Sequence, residues 1–175
     1  MRVVLWIIGV LVSLVALVFV TGLMLPKTHT ASVRAYYNQP PRQIFDAILD
    51  VEHAPSWRTG LDSVRILSGD MRPLKWQEIS SFGTMTYVLE EVEPPVRLVS
   101  RIADTTQGFG GKWTYEIQPA TDGSVVVITE NGQVNNPLFR FMSRFVFGHY
   151  RTLEQFARDL GRKFGQEIEP QRVGP

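Results

Sequence analysis

The strongest constraint on this chain is an uncharged run of 23 residues, VVLWIIGVLVSLVALVFVTGLML, from Val3 to Leu25. As a helix rising about 1.5 Å per residue, the run reaches about 34 Å, which is enough to cross a hydrocarbon core of about 30 Å. It is longer than the roughly 7–15 apolar residues of a cleaved signal peptide, and no convincing A-x-A cleavage site follows it. Trp6 lies where interfacial aromatic residues are common. We therefore predict an uncleaved transmembrane anchor over residues 1–26.

The anchor predicts a single-pass protein of the cell membrane, with residues 3–25 as its membrane contact. Arg2 precedes the span, whereas Lys27, Arg34 and Arg42 follow it. Because flanking basic residues favour the cytoplasmic side, this count prefers a cytoplasmic domain, but only marginally. The side of the membrane stays open.

The composition excludes several classes of protein. The 175 residues carry 18 basic and 17 acidic side chains, a net charge of +1, which is far from the excess of positive charge that a nucleic-acid-binding surface needs. The absence of cysteine excludes a disulfide framework, a thiolate metal site and a cysteine nucleophile. We predict no nucleic-acid partner, no metal and no cofactor.

Turn residues and alternating patterns divide the rest of the chain. We predict a linker over residues 27–31, a folded domain over 32–164 and a disordered tail over 165–175. A proline-initiated helix follows the first strand, with apolar side chains at helical spacing in QPPRQIFDAILDV. The close spacing of the remaining strands requires antiparallel pairing. The predicted strands are Ser32–Asn38, Asp62–Leu67, Leu74–Ser80, Thr84–Val92, Arg97–Ala103, Lys112–Gln118 and Ser124–Gln133.

The C-terminal part predicts one amphipathic helix of about 28 residues that begins at Asn136-Pro137. Its apolar stripe contains Leu138, Phe141, Met142, Phe145, His149, Leu153, Phe156 and Leu160. A row of arginines lies on the opposite face, which excludes a second membrane span. The row is either a solvated face or a contact with anionic headgroups through Arg140, Arg144 and Arg151.

Several segments resemble the START-like SRPBCC superfamily, in its polyketide cyclase/dehydrase-like branch. They are YYNQPPRQIFDAILDVEHAPSW, FGTMTYVLEEVEPPVRLVSRIAD, FGGKWTYEIQPATDGSVVVITENGQVNNPLFRF and the long C-terminal helix. The resemblance covers roughly residues 32–164 and implies an α+β helix-grip fold. In that fold a curved antiparallel sheet of about seven strands surrounds the long C-terminal helix, and an apolar cavity lies between them. Members bind lipids, quinones, steroids or polyketides, and only some of them catalyse reactions.

The candidate ligand contacts follow from alternation along the strands. In KWTYEI and TMTYVLEE, large side chains alternate with polar ones, as in a sheet with one buried face. Glu78 has the parity of Trp76 and therefore shares its inward face. Together with the helix stripe, this predicts ligand contacts at Trp76, Glu78, Met85, Tyr87, Trp113, Tyr115, Phe141, Phe145 and His149.

Two of these side chains are candidates for chemistry. His149 either meets a polar group of the ligand, or moves a proton, or is a buried histidine bonded to a neighbouring strand. Glu78 is either a carboxylate at a functional site or a rim residue in a salt bridge. His29 and His53 have no evident partner in the sequence. Arg101, Glu116 and Glu130 have outward parity, which predicts cross-strand ion pairs.

Three functions remain open. The first is a membrane-anchored binding protein for an apolar molecule such as a lipid, a quinone or a polyketide-like compound. The second is a cyclase- or dehydratase-type enzyme that uses His149 or Glu78 as its acid or base. The third is an interaction or assembly module with a filled core.

Overall fold

The computed structural model describes residues 2–68, 74–81, 83–104 and 108–174. The sequence SGD at residues 68–70, which predicts a turn between the expected strands Asp62–Leu67 and Leu74–Ser80, lies partly outside them. The helices are α1 (Arg2–Met24), α2 (Pro41–Leu49), α3 (Pro137–Met142) and α4 (Arg151–Lys163). The strands are β1 (Thr28–Tyr37), β2 (Ser63–Ile66), β3 (Lys75–Ser80), β4 (Gly83–Glu93), β5 (Arg97–Ile102), β6 (Phe109–Ala120), β7 (Gly123–Val134) and β8 (Gln171–Val173).

The described strands form one curved antiparallel sheet of eight strands in the order β2-β3-β4-β5-β6-β7-β1-β8. The α+β fold predicted from the resemblance is confirmed. A register shift between Leu89 and Glu91, where β4 pairs with β5, adds to the bend of the sheet. On the outer face Arg97 pairs with Glu116 and Arg101 pairs with Glu90, as cross-strand ion pairs.

Helices α2 and α4 cover the inner face of the sheet. Four apolar residues of α4 at helical spacing are buried: Leu153, Phe156, Ala157 and Leu160. The hydroxyl of buried Tyr37 donates a hydrogen bond of 2.9 Å to the carbonyl of Ala157 and so ties β1 to α4. This core positions the cavity walls described below.

One helix, α1, is long and apolar enough to cross a membrane, judged by its length and composition. Most of its side chains are exposed, and its last turn contacts α3. The contact is close because Gly22 has no side chain; a Cβ there would meet the backbone carbonyl of Pro137. The side chain of Arg140 donates hydrogen bonds to the carbonyls of Leu23 and Leu25 at 3.5 and 2.9 Å. It therefore satisfies backbone acceptors at the C-terminus of α1 that no helical donor reaches.

The predicted boundaries of the domain were wrong at both ends. Most of the linker 27–31 is strand, since Thr28–Ala31 pairs with residues 130–133 of β7. The tail 165–175, predicted to be disordered, contains β8, which pairs with residues 32–34 of β1. Ile168 is buried against Gly161 of α4. These segments lack a long apolar pattern because each adds only a few residues to an existing sheet edge.

The prediction of a single C-terminal helix of about 28 residues was also wrong. Helix α3 continues into a π-helical turn, Ser143–Phe147, and Gly148 then leaves the helical path with a φ of +73°. A glycine adopts this left-handed conformation without steric cost, which a sequence pattern of helical period does not reveal. Phe145, in the π-helical turn, is 60% exposed, whereas Arg140 of α3 is 7% exposed because it bonds the end of α1. Arg140 therefore faces α1 instead of lipid headgroups.

Candidate functional site

An inner cavity of about 70 Å³ lies between the sheet, α2 and α4. Its walls include Trp57, Arg58, Trp76, Glu78, Tyr87, Leu98, Trp113, Tyr115 and Phe156. Because one water needs roughly 10–15 Å³ by this kind of measure, the inner cavity has room for a few waters and for no drug-sized molecule. The aromatic side chains fill most of the space that the resemblance implied would be hollow.

A partly buried ion pair lies in the wall of the inner cavity. The guanidinium of Arg58 donates a hydrogen bond of 2.6 Å to the Glu78 carboxylate, and the indole N–H of Trp76 donates to the same oxygen at 3.2 Å. Burial alone would lower the pKa of Arg58, but the Glu78 carboxylate outweighs it and raises that pKa. Glu78 points inward, as its parity predicted, and it does so as the partner of an arginine.

The loop that carries Arg58 is hydrogen-bonded to α4 through a buried carboxylate. Asp159 is 2% exposed and accepts hydrogen bonds from the backbone N–H and the hydroxyl of Thr59, at 2.8 and 2.9 Å. Gln155 donates to it as well, at 2.9 Å. The Arg58 guanidinium lies 5.3 Å from the centre of the Phe156 ring of the same helix. Arg58 is therefore held from both sides, which keeps it against Glu78.

A larger outer cavity of about 340 Å³ adjoins the inner one and shares Tyr87 and Trp113 with it as a common wall. It lies between the ends of β1, β4, β6 and β7 and the broken segment around Gly148. Gly110 and Gly132 line it, and the absence of a side chain at Gly132 lets the His29 ring lie against the strand. Its volume falls in the range of about 300–1,000 Å³ that is usual for ligand sites.

Two histidines meet at the edge of the outer cavity. The rings of His29 and His149 stack with centroids 3.9 Å apart, and the His29 ring lies against Gly132. His29 Nε2 is 3.7 Å from a carboxylate oxygen of Glu130. Burial lowers the pKa of His149, as do the nearby His29 and Arg144, and Glu130 only partly opposes them. A neutral imidazole that can accept or donate a hydrogen bond therefore faces the cavity.

Two predictions about these residues were wrong. His29 was predicted to lack a partner in a linker, but it lies on β1 and stacks on His149. Glu130 was predicted to face outward, but its register partner is Trp113, so it shares the inner face. The error came from starting β1 too late and from assigning the parity of β7 separately. Cross-strand register decides both positions, and the sequence does not contain it.

The other predicted contacts, except Phe141 and Phe145, which line neither cavity, are divided between the two cavities. Trp76, Glu78 and Tyr115 line the inner cavity, and Met85 and His149 line the outer one, with Tyr87 and Trp113 between them. Phe145 was wrongly predicted to face inward; it is exposed and contacts Phe141, with ring centroids 4.9 Å apart. His53, predicted to be unpartnered, bonds to Asp50 at 2.8 Å, away from both cavities.

Sequence reasoning missed Arg58, His29, Glu130, Phe139 and Phe147 as wall residues. No local pattern in the sequence distinguishes Arg58, which lies in a connector without helical or strand periodicity. Across the described part of the chain, no cluster of three or more histidine, aspartate, glutamate or cysteine side chains has the geometry to hold a metal ion.

The arrangement of sheet and helices is shared with several solved structures, one of which is a START superfamily protein. A START superfamily protein from Mycobacterium smegmatis superposes with a TM-score of 0.60 at 16% identity, over 77% of this chain and 96% of that one. A protein from Thermus thermophilus gives 0.64 at 14% identity, over 75% and 94%. Norcoclaurine synthase from Thalictrum flavum gives 0.63 at 10% identity, over 83% and 90%. At these identities the likeness shows the fold alone.

The family match and the solved structures support the SRPBCC fold, which is a hydrophobic-ligand-binding or cyclase-type fold. The profile of the family described as polyketide cyclase / dehydrase and lipid transport matches residues 28–162, and the chain belongs to this family. A search of curated proteins found no match.

Proposed function

We propose that this protein is a membrane-anchored binding protein for an apolar small molecule, held in the outer cavity. The observation that carries the proposal is the difference between the two cavities. The outer one, at about 340 Å³, is ligand-sized, whereas the inner one, at about 70 Å³, is nearly filled. Helix α1, by its length and composition, supports anchoring in the bilayer.

The walls of the outer cavity favour an apolar molecule with one polar group. Met85, Tyr87, Ile102, Phe109, Trp113 and Val134 make most of the lining apolar. The histidine pair offers hydrogen bonding at one edge, next to Glu130. A carbonyl or hydroxyl group of the ligand would meet the imidazoles while its apolar part lies against the aromatic wall. Lipids, quinones and polyketide-like compounds each combine an apolar part with a polar group in this way.

A second candidate function, acid/base catalysis, is favoured by the same histidine pair. His149 has a lowered pKa, stacks on His29, and has Glu130 within reach through that ring. This is an arrangement in which a neutral imidazole accepts a proton from a bound molecule. Glu78 is the weaker candidate, because Arg58 and Trp76 already donate hydrogen bonds to one of its carboxylate oxygens.

The test of binding uses the full chain, purified in detergent. Mass spectrometry of organic extracts should identify a co-purifying apolar compound, and pyrene should bind as an apolar probe. Thr152, exposed on the first turn of α4, lines the outer cavity, so Thr152→Trp should fill it and weaken pyrene binding at least tenfold. Thr121→Trp, on the exposed turn between β6 and β7, is the matched control. Equal binding by both variants, or none by the parent chain, contradicts the proposal.

The enzyme alternative is tested on the extracted compound itself. Its chemical conversion by the full chain, lost in His149→Gln, would establish catalysis and displace the carrier function. The anchor is tested separately by fractionation: the full chain should stay with membranes through high-salt and alkaline washes, since 23 uncharged residues insert instead of adsorbing.

A further inference from the structure

The broken segment after β7 exposes a group of large apolar side chains. Leu138 and Phe139 of α3 are each 48% exposed, and Phe145, Val146 and Phe147 of the π-helical turn are 53–60% exposed. We name these five residues the apolar lip. A contiguous apolar surface of this kind on a water-soluble domain usually marks a contact with a membrane or with another protein.

The position of the lip follows from the way α1 is attached. Pro137, the first residue of α3, lies directly on Gly22 in the last turn of α1. Arg140 fixes the same junction from the other side by bonding the carbonyls of Leu23 and Leu25. The anchor and the lip are therefore joined by backbone contact and by a buried guanidinium.

This junction sets the depth of the lip relative to a bilayer. Gly22 lies three residues before Leu25, the last residue of the uncharged run. At a rise of about 1.5 Å per residue, Gly22 is about 4–5 Å on the apolar side of that end. If α1 crosses a bilayer, the start of α3 must lie at the boundary of the hydrocarbon. Interfacial segments bury their apolar face about 5–10 Å into this boundary, which is the depth available to the lip.

The lip is also the outer wall of the ligand-sized cavity. Phe139 and Phe147 line the outer cavity and are at the same time about half exposed on its outside. Two aromatic side chains therefore stand between the cavity and whatever covers the lip. Gly148, with its positive φ, follows them and also lines the cavity.

Basic side chains lie next to the lip at the level of the anchor's end. Lys27 and Arg144 are exposed and border a neighbouring hollow of about 210 Å³, which also contacts His29 and His149. A cation near the membrane surface is attracted to anionic lipids. Apolar residues flanked by cations fit a lipid surface better than they fit a protein partner of unspecified charge.

We propose that the apolar lip inserts into the bilayer beside α1, and that the outer cavity opens through it towards the acyl chains. Ligand then exchanges with the membrane instead of with water, so the ligand class is a membrane-dissolved apolar molecule. This inference rests on the proposed function for its ligand. Its membrane contact is tested without any ligand.

The first experiment measures depth and exploits the absence of cysteine from the chain. The full chain with Val146→Cys, spin-labelled and reconstituted in phosphatidylcholine/phosphatidylglycerol vesicles, should collide with oxygen more than with a water-soluble nickel chelate. Thr121→Cys, at the opposite end of strands of about 40 Å, should show the reverse preference. A label at 146 that behaves like the one at 121 overturns the proposal. Shielding from both reagents, with spin coupling between chains, also overturns it and assigns the lip to a second copy.

The second experiment tests the opening. Met85→Cys places a thiol in the outer cavity, where N-ethylmaleimide, which dissolves in lipid, competes with a charged sulfonate reagent. The ratio of labelling by N-ethylmaleimide to labelling by the sulfonate reagent should be higher in Met85→Cys than in Thr121→Cys, a gain of at least tenfold. Adding Val146→Asp should remove most of this gain, because a carboxylate in the lip opposes insertion. Val96→Asp is the matched control, on an exposed valine between β4 and β5, and should change nothing.

The outcomes separate this inference from the proposed function. Failure of pyrene binding in detergent contradicts the ligand site. The labelling at positions 146 and 85 would still test the insertion of the lip and the opening towards the bilayer. A water-like label at position 146, or equal access of both reagents at position 85, contradicts the bilayer opening even if pyrene binds.

Discussion

The partly buried ion pair between Arg58 and Glu78 allows the sharpest test of how this core is held together. Replacing Glu78 by leucine keeps a similar volume but leaves the guanidinium among Trp76, Tyr87 and Phe156 without its acceptor. Removing one partner of a fully buried pair costs about 3–5 kcal/mol. Here the side chain of Arg58 keeps 25% exposure and that of Glu78 keeps 12%, so water still reaches the pair. We therefore expect about 2–3 kcal/mol for Glu78→Leu.

The assay is thermal unfolding of the full chain in detergent. For a chain of this size each kcal/mol shifts the melting temperature by about 2–4 °C, so Glu78→Leu should lower it by about 4–12 °C. Arg58→Met should also destabilise, because it leaves the carboxylate with the Trp76 indole as its remaining donor. The double variant Arg58→Met/Glu78→Leu should return to within about 1 kcal/mol of the parent, since a well-packed apolar pair often replaces a buried ion pair at no loss.

The result that would refute this reasoning is additivity. If the double variant loses as much stability as the two single variants together, the two side chains are not coupled and the cavity wall is held by other contacts. Glu78→Gln is a control for shape. It keeps an oxygen for the Trp76 indole and for Arg58 but removes the charge, so its loss should be smaller than that of Glu78→Leu.

Three further predictions concern the junction with α1 and the histidine pair. Gly22→Leu should force α1 away from Pro137 and raise the protease sensitivity of the segment around position 137. Gly9→Leu is the control, because it has open space around it and should leave that sensitivity unchanged. Equal cleavage of the two variants would contradict the contact. Gly132→Ala should displace the His29 ring, seen as a changed imidazole signal in NMR spectra, and an unchanged signal would place the ring elsewhere. Burial lowers the pKa of His149 in the folded protein, as do the nearby His29 and Arg144, so the unfolded chain binds its proton first as pH falls. Stability should therefore fall as pH drops below the ordinary histidine pKa of about 6.5. His149→Gln should flatten that part of the stability–pH profile, and an unchanged profile would contradict the shift.

The local patterns of the sequence predicted most of the elements, because each rests on interactions between near neighbours. An uncharged run of 23 residues allows little other than the exposed apolar helix α1. Alternating side chains predicted seven of the eight described strands, and the proline-led pattern predicted α2. The stripe Leu153, Phe156 and Leu160 packs on the sheet as its spacing indicated.

Tertiary structure alone decided which residues surround the outer cavity and the junction with α1. The strand register places His29 opposite Gly132 and Glu130 opposite Trp113, and a one-residue change of register would turn these side chains to the other face. A positive φ at Gly148 breaks a helix whose periodicity is otherwise continuous, which moves Phe145 outward and opens the outer cavity. Arg140 has the sequence pattern of a solvated arginine, but it is buried because the end of α1, more than a hundred residues away in sequence, presents free carbonyls to it. These outcomes depend on contacts between distant segments, which residue spacing within one segment does not encode.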